Sequence, residues 1–227
     1  MKVFLCRLRT HDFLAFSSYD VAKVTITESI IHNFALTYAI HYCTSVLDVQ
    51  KKPHYIKDLS QMTKFPTPAE MTNNRSLVKQ TYNTIDEVTL KTKTSYGENY
   101  YSPDFGVYYK LPPDTCFQFF LLSLDDDPPR RLIRLGKKDC LCSLDVTELQ
   151  LLSVKEATEQ PVTISHPINP VDVVGEIVAY EQLIFIPPTP IICGPSIKGK
   201  YLLTKDAGRN RYYNLALTRW TIDEASS

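Results

Sequence analysis

No nucleotide-phosphate loop, hydrolase elbow or zinc-peptidase motif occurs in this chain, which sets aside the enzyme classes that local sequence identifies most readily. There is no excess of either charge: Lys+Arg 25 against Asp+Glu 25 leaves a formal net charge of +0 over 227 residues. A free-standing polycation is excluded, so binding to nucleic acid would have to run through local patches, or through an assembly that supplies the rest of the field. Glycine is scarce, at 7 residues, beside 15 prolines and 14 tyrosines, a balance that suits a β-rich protein with long, stiff connections. Internal repeats and low-complexity tails are absent. A hydrophobic content of 44% with 22% charge excludes a disordered chain. The length allows one large domain, or a domain with a sizeable insertion.

Six cysteines are present (Cys6, Cys43, Cys116, Cys140, Cys142 and Cys193), but no secretory signal is visible: the opening residues meet Arg7 and Arg9 before an adequate apolar run develops. Reduced thiols in a cytoplasmic protein are therefore expected. The one close pair, Cys140-Leu141-Cys142, has a single-residue gap that fits neither a zinc knuckle nor a thioredoxin-like motif, and no histidine follows at ligand spacing. No metal and no cofactor are expected. Residues 29–47 lack Asp, Glu, Lys and Arg, yet His32, Asn33, Thr37 and His41 would each need a partner in lipid. The stretch reads as a buried helix, and no membrane segment is expected.

What the chain does have is segregated charge. Arg130-Arg131-Leu132-Ile133-Arg134-Leu135-Gly136-Lys137-Lys138 carries five bases and no acid, directly after Asp125-Asp126-Asp127-Pro128-Pro129. Three acids, two prolines that stop any strand or helix, then five bases make a basic strand or strand-loop of the kind that meets phosphates. A solvated basic face would look the same in sequence. A second basic stretch runs over residues 194–213, where Lys198, Lys200, Lys205, Arg209 and Arg211 outnumber Asp206 and interleave with Tyr201, Tyr212 and Tyr213. Such bases suit a phosphate backbone, a tyrosine can stack on an unpaired base, and Gly194 or Gly199 would let backbone N–H groups approach a phosphate. The alternative is a hairpin rim whose tyrosines pack on neighbours. Tyr96, Tyr100, Tyr101, Tyr108 and Tyr109 read as hairpin packing.

Residues 2–9 alternate as a strand, with Phe4, Cys6 and Leu8 on one face and Val3, Leu5, Arg7 and Arg9 on the other. Thr25-x-x-Glu28 has the form of a capping box. It precedes a run of Ile30, Ile31, Phe34, Ala35, Tyr38, Ala39 and Tyr42 at three- and four-residue steps, which predicts a helix from about residue 27 to 43. From 51 to 74 periodicity is lost among Pro53, Pro66 and Pro68, which predicts a long loop or an insertion. Residues 82–109 read as β-hairpins turning at Gly97 and Gly106, and 117–124 as a strand buried on both faces. Residues 144–155 are ambiguous between strand and short helix. A strong strand is predicted over 173–186, a glycine-bearing loop over 194–201 and a final strand over 212–222. This order predicts an α+β domain, RRM-like or ferredoxin-like, elaborated by long β insertions.

The best catalytic candidate is His11, at the end of the first strand. Metal-independent RNA cleavage needs a base for a 2′-hydroxyl and a cation for the developing charge, which His11 with a nearby Lys or Tyr would supply. Beside Asp12, the same histidine could equally belong to a hydrogen-bonded turn. His32 and His41 stand nine residues apart on the predicted helix, face opposite sides and cannot share a site. No complete catalytic set emerges.

Four segments together resemble a known family: Cys6-Arg7-Leu8-Arg9-Thr10-His11-Asp12, His32-Asn33-Phe34-Ala35-Leu36-Thr37-Tyr38-Ala39, Thr81-Tyr82-Asn83-Thr84-Ile85 and Arg134-Leu135-Gly136-Lys137-Lys138. In order and length, across most of the chain, they are similar to the Cas-five-type subunit of the type I-D CRISPR effector complex (Cascade). The resemblance implies a single domain over 1–227 with an RRM-like core of the RAMP superfamily and a β-hairpin thumb around 80–110. It implies a non-catalytic subunit that binds the 5′ handle of the CRISPR RNA and caps one end of the backbone filament. Its neighbours would be the backbone subunit, the large subunit and the target DNA near the PAM, in antiviral defence. Base pairing would read the target sequence. The handle-binding surface then falls to the basic segments: Arg130, Arg131, Arg134, Lys137 and Lys138 on phosphates, helped by Arg7 and Arg9, with Lys198 and Lys200 in the C-terminal stretch. Tyr82 and Asn83, on the possible thumb, would meet a base or a neighbouring subunit. Gly194-Pro195-Ser196-Ile197-Lys198-Gly199 is only a thin version of the glycine-rich loop typical of RAMP proteins. A repeat-cleaving endoribonuclease and a module that binds protein alone are the two competing functions.

Overall fold

The computed structural model describes residues 1–22, 24–42, 53–83, 105–137 and 139–225. β1 (Lys2–Thr10) alternates as predicted. Phe4, Cys6 and Leu8 enter one apolar cluster and Val3 and Leu5 another, so the strand is buried on both faces where it begins. The connection after it holds a short hairpin, β2 (Tyr19–Val21) and β3 (Val24–Ile26), and then β4 (Ile30–Ile31) and α1 (Asn33–Tyr42). The helix is therefore shorter than predicted. Thr25 lies in β3, its hydroxyl donating to Asp20, and Ile30 and Ile31 pair with Glu70 and Ala69. Two adjacent β-branched side chains suit a strand better than a first helical turn. His32 caps α1 in place of Thr25, its Nδ1 accepting from the Phe34 N–H at 3.1 Å.

The region expected as a loop over 51–74 carries α2 (Tyr55–Leu59), β5 (Lys64–Pro66) and β6 (Ala69–Met71), each too short for a period to register. β7 (Val78–Asn83) and β8 (Phe105–Lys110) pair antiparallel and join β2 and β3 in a separate four-stranded sheet. Gly106 lies inside β8, not at a turn. The Tyr82 ring lies over it, where a Cβ would be 2.2 Å from the ring. The span 84–104, with Gly97, Tyr96, Tyr100 and Tyr101, lies outside the described residues. β9 (Cys116–Ser123) is the expected strand, with Phe117, Phe119, Phe120, Leu121 and Leu122 all buried. It is followed by β10 (Leu132–Leu135) and by β11 (Cys140–Thr163), a strand of 24 residues that takes in the ambiguous 144–155.

The rest of the chain forms β12 (Glu176–Ala179), β13 (Gln182–Ile184), β14 (Ile191–Cys193), β15 (Ser196–Asp206), β16 (Arg211–Ala216) and α3 (Ile222–Ala225). The single strand predicted over 173–186 is two, because the chain turns at Tyr180 and Glu181: β12 pairs with β15 and β13 with β14. The glycine-bearing loop predicted over 194–201 is for the most part strand. The last predicted strand stops at Ala216 and gives way to α3.

β1 lies between β11 and β9, antiparallel to both, and β9 pairs in turn with β5 and β6. The spatial order β11-β1-β9-β5/β6, with α1 between β1 and β5 in sequence, is the ferredoxin-like arrangement, and the α+β expectation holds. One piece of that arrangement is missing. A second helix belongs between β9 and β11, and the described residues there form none. Pro128 and Pro129 withhold two backbone donors after three acids, and the chain returns through the edge strand β10. Leu36, Ala39 and Ile40 of α1 cover one face of the sheet. β15 and β16 fold over the other, laying Leu202, Tyr213 and Leu215 on Val3, Leu5, Phe120 and Leu122. No helix among the described residues is long and apolar enough to cross a membrane.

Candidate nucleic-acid interface

Directly opposed residues of an antiparallel sheet share a face, so the register states which side chains meet. Arg7 stands between Gln118 and Asp145, and Arg9 between Cys116 and Ser143. Ser143 is opposed in turn by Leu132, and Leu141 by Arg134. His11 follows the same face: its backbone N–H donates to Leu141 O, and its Nε2 lies 2.9 Å from Ser143 Oγ. One face of the sheet thus collects Arg7, Arg9, His11, Gln118, Ser143 and Arg134. Val3 and Leu5 begin this face under the cover of β15 and β16. That cover pairs with β11 only from Gln150 onward, so Arg7 and Arg9 emerge beyond it.

Acids temper the two strand arginines. Arg9 donates to Asp114 Oδ1 from both Nε, at 2.8 Å, and Nη2, at 2.7 Å, a rigid pairing that still leaves the side chain 58% exposed. Arg7 lies 3.9 Å from Asp145. At this exposure such pairs position more than they stabilise.

The basic run 130–138 is divided by its geometry. Arg130 and Arg131 are exposed ahead of β10, and Arg131 O accepts from Leu144 N–H at 2.7 Å. Within β10, Ile133 and Leu135 are buried while Arg134 is exposed, its Nη1 donating to Asp139 O at 3.0 Å. Gly136, at φ +78, turns the chain so that the Lys137 N–H reaches Ala15 O at 2.9 Å. The Lys137 side chain is exposed. Lys138 lies outside the described residues.

The second basic stretch does not join this face. Lys198 and Lys200 lie on β15, each opposite a glutamate: Glu176 on β12 and Glu156 on β11. Gly199 lies inside β15, so the glycine-bearing segment is strand from Ser196 onward. Further along, Lys205 lies over the Tyr212 ring at 5.2 Å and Arg211 over Tyr213 at 5.3 Å, so these tyrosines serve the hairpin. Tyr82 belongs to the separate small sheet, where its ring centroid is 4.9 Å from that of Tyr108. Asn83 is the last residue of β7.

Sequence reasoning missed Gln118, Ser143 and the acids Asp114 and Asp145. Their place on the face depends on strand pairing across more than a hundred positions, which no local pattern carries. The pair Cys140 and Cys142 lies just inside the sheet from Ser143, with sulfur atoms 3.9 Å apart. A hydrogen bond from the Cys142 thiol pulls Cys140 down to about 7 and leaves Cys142 above the usual thiol range. Among the described residues, no group of three or more His, Cys, Asp or Glu is placed to hold a metal ion.

A family model described as type I-D CRISPR-associated protein Cas5/Csc1 matches residues 1–215. The chain belongs to that family. The Cas5/Csc1 membership makes it a CRISPR-associated protein, with the RAMP-type α+β core that the order β11-β1-β9-β5/β6 displays. Among solved structures, it is similar to a chain of the cryo-EM structure of the Type III-B Cmr-beta bound to cognate target RNA and AMPPnP. The identity is 10%, 86% of each chain is covered and the TM-score is 0.53. A crystal structure of a CRISPR protein from Archaeoglobus fulgidus also matches, at 10% identity, covering 95% of this chain and 100% of that one, with a TM-score of 0.40. No curated protein matches this Cas5/Csc1 chain.

Proposed function

We propose that this chain is a non-catalytic, cytoplasmic RNA-binding subunit of a type I-D Cascade complex. In this reading it holds the 5′ handle of the CRISPR RNA, caps the backbone filament and sits near the large subunit and the PAM-bearing DNA. The observation that supports the reading most is the convergence of Arg7, Arg9 and Arg134 on one exposed sheet face, flanked by the exposed Arg130, Arg131 and Lys137. Phosphate contacts from such a surface give affinity without reading sequence, and the polar Gln118, Ser143 and His11 between them suit single-stranded RNA whose bases are splayed. Lys198 and Lys200, paired across strands with glutamates, take a lesser part.

Ultraviolet crosslinking tests the proposal. The chain is co-expressed with its genomic neighbours and a CRISPR array, and crosslinked peptides and nucleotides are mapped together. Crosslinks from β1 and from residues 130–137 to the first nucleotides of a mature guide are expected. Crosslinks absent from this chain, while other subunits of the same sample carry them, would move the function to a protein-only module.

A further inference from the structure

Arg9 and Asp114 meet in a geometry that does more than balance charge. A guanidinium carries its N–H donors in one plane, on a side edge and an end edge. Arg9 Nε and Nη2 both donate to Asp114 Oδ1, at 2.8 and 2.7 Å, so the acid holds the side edge. The end-on pair of Nη1 and Nη2 is left over, and that pair is the fork that matches two oxygens of a phosphate. Asp114 is itself held at both of its peptides. Its N–H donates to Thr10 O at 2.8 Å, and its C=O accepts from Asn73 Nδ2 at 2.8 Å. Pro112 and Pro113, whose rings fix φ, lead the chain into it. Thr10 follows Arg9 directly, so acid and arginine are anchored to the same end of β1.

The backbone points the same way. Asp114 has φ +63, a left-handed conformation that residues other than glycine adopt only where the surroundings fix it. Among the described residues four such positive-φ positions occur, and two of them hold an arginine of this face. Asp114 grips Arg9, and Asp139, at φ +50, accepts from Arg134 Nη1 at 3.0 Å. We propose that Asp114 is a positioning residue for RNA, fixing Arg9 so that its end-on fork meets one backbone phosphate. The inference rests on the RNA-binding reading above and adds to it a residue that acts through Arg9. A free arginine loses rotamer freedom when it binds; this one has already lost it on folding. The contact is the same for every nucleotide, because the fork meets the phosphate and not the base.

Two substitutions separate order from charge. Asp114→Asn and Asp114→Gly remove the same negative charge, and both new side chains suit φ +63. Only asparagine keeps an oxygen that can accept from Arg9. In filter binding of the full chain to its mature guide RNA, Asp114→Gly should bind about two- to tenfold more weakly than Asp114→Asn, the cost of ordering one arginine on binding. With Arg9→Ala in the background the two should bind alike, which a general disturbance of the turn would not give. Before RNA is added, the Arg9 Nε–H signal in NMR should exchange slowly in the wild type and in Asp114→Asn, and fast in Asp114→Gly. The wild-type signal does not depend on how the glycine variant folds. Equal or reversed affinities for the two variants, or a difference that survives Arg9→Ala, would overturn the proposal, as would a rapidly exchanging Arg9 Nε–H in the wild type. Wild-type protein that protects this Nε–H yet binds no guide RNA would overturn the RNA-binding reading, and the proposal falls with it.

Discussion

Asn33, the first residue of α1, donates its side-chain amide to Asp172 Oδ2 at 2.8 Å across 139 positions. Around this bond every donor finds an acceptor. His32 Nε2 lies 2.9 Å from Thr189 Oγ1, which donates to Asn169 Oδ1 at 3.0 Å. Asn169 Nδ2 in turn reaches Asn33 Oδ1 and Asp172 Oδ2, and Trp220 Nε1 reaches Asp172 Oδ1. Arg219 closes the far side by donating to Val171 O and lying 3.6 Å from the carboxylate. The start of the helix is thereby fixed to the segments that precede α3.

Removing the hub of this network leaves buried amides without acceptors. Asp172 is 3% exposed, and Asp172→Ala should cost about 2–4 kcal/mol, the range for orphaning several buried donors. Urea denaturation followed by Trp220 fluorescence measures it. A loss below about 1 kcal/mol would mean that the network is ornamental to stability.

The two buried histidines predict acid lability. Burial pulls His32 and His166 down to about 4, against the opposing effect of hydrogen bonds to Thr189 and Pro167 O. Both rings are used in their neutral form: His166 accepts from Ala216 N–H at Nε2 while Nδ1 lies 2.7 Å from Pro167 O. The folded values lie below the unfolded one of about 6.5, so the unfolded chain takes up protons first. Stability should be complete above about pH 6.5 and fall as the pH drops toward 4, by about 3 kcal/mol per histidine. His166→Gln should flatten that slope in urea titrations at stepped pH; a slope equal to wild type would exclude His166 as a cause.

Salt dependence tests the phosphate contacts. Arg134→Ala combined with Lys137→Ala should weaken guide RNA binding and reduce the slope of log K against log salt by about two units, about one per lost contact. Filter binding across a salt series reads this directly, and an unchanged slope rejects both contacts.

The β10–β11 turn depends on one glycine. At φ +78, a Cβ on Gly136 would lie 2.6 Å from Ala15 O. Gly136→Ala should cost about 1–3 kcal/mol and shift Lys137, lowering RNA affinity more than the stability loss alone explains. Thermal melts and binding measured on the same preparation separate the two effects.

A non-catalytic subunit leaves RNA intact. An all-RNA CRISPR repeat incubated with the protein should give no 2′,3′-cyclic phosphate product. Product that appears, is absent with a 2′-deoxy residue at the scissile site and vanishes in His11→Ala would make the protein a nuclease, with His11 and its neighbour Ser143 at the centre.

The elements legible in the sequence are those whose signal is local and long. β1 and β9 could be read because Phe4, Cys6 and Leu8, or the unbroken run from Phe117, impose a two-residue period or continuous burial. α1 was legible in its body and not at its start, since Ile30 and Ile31 satisfy a helical step and a strand equally well, and only pairing with Ala69 and Glu70 decides between them. The basic segment at 130–138 was visible as charge. That Arg7, Arg9 and Arg134 would share a face was not, because it follows from the register of β1 with β11 and of β11 with β10. That Lys198 and Lys200 would stand opposite Glu176 and Glu156 was equally hidden, because it too follows from strand register.

The central position of β1 also orders the making of the protein. This apolar strand is synthesised more than a hundred residues ahead of both its neighbours, β9 and residues 142–149 of β11. Until the ribosome has passed Ser123 neither edge of β1 has its partner strand, and the second edge stays open to other chains until Leu149 has been made. Folding of the core is thereby deferred until both partners of β1 are made, and a nascent chain of this kind depends on what shields β1 meanwhile.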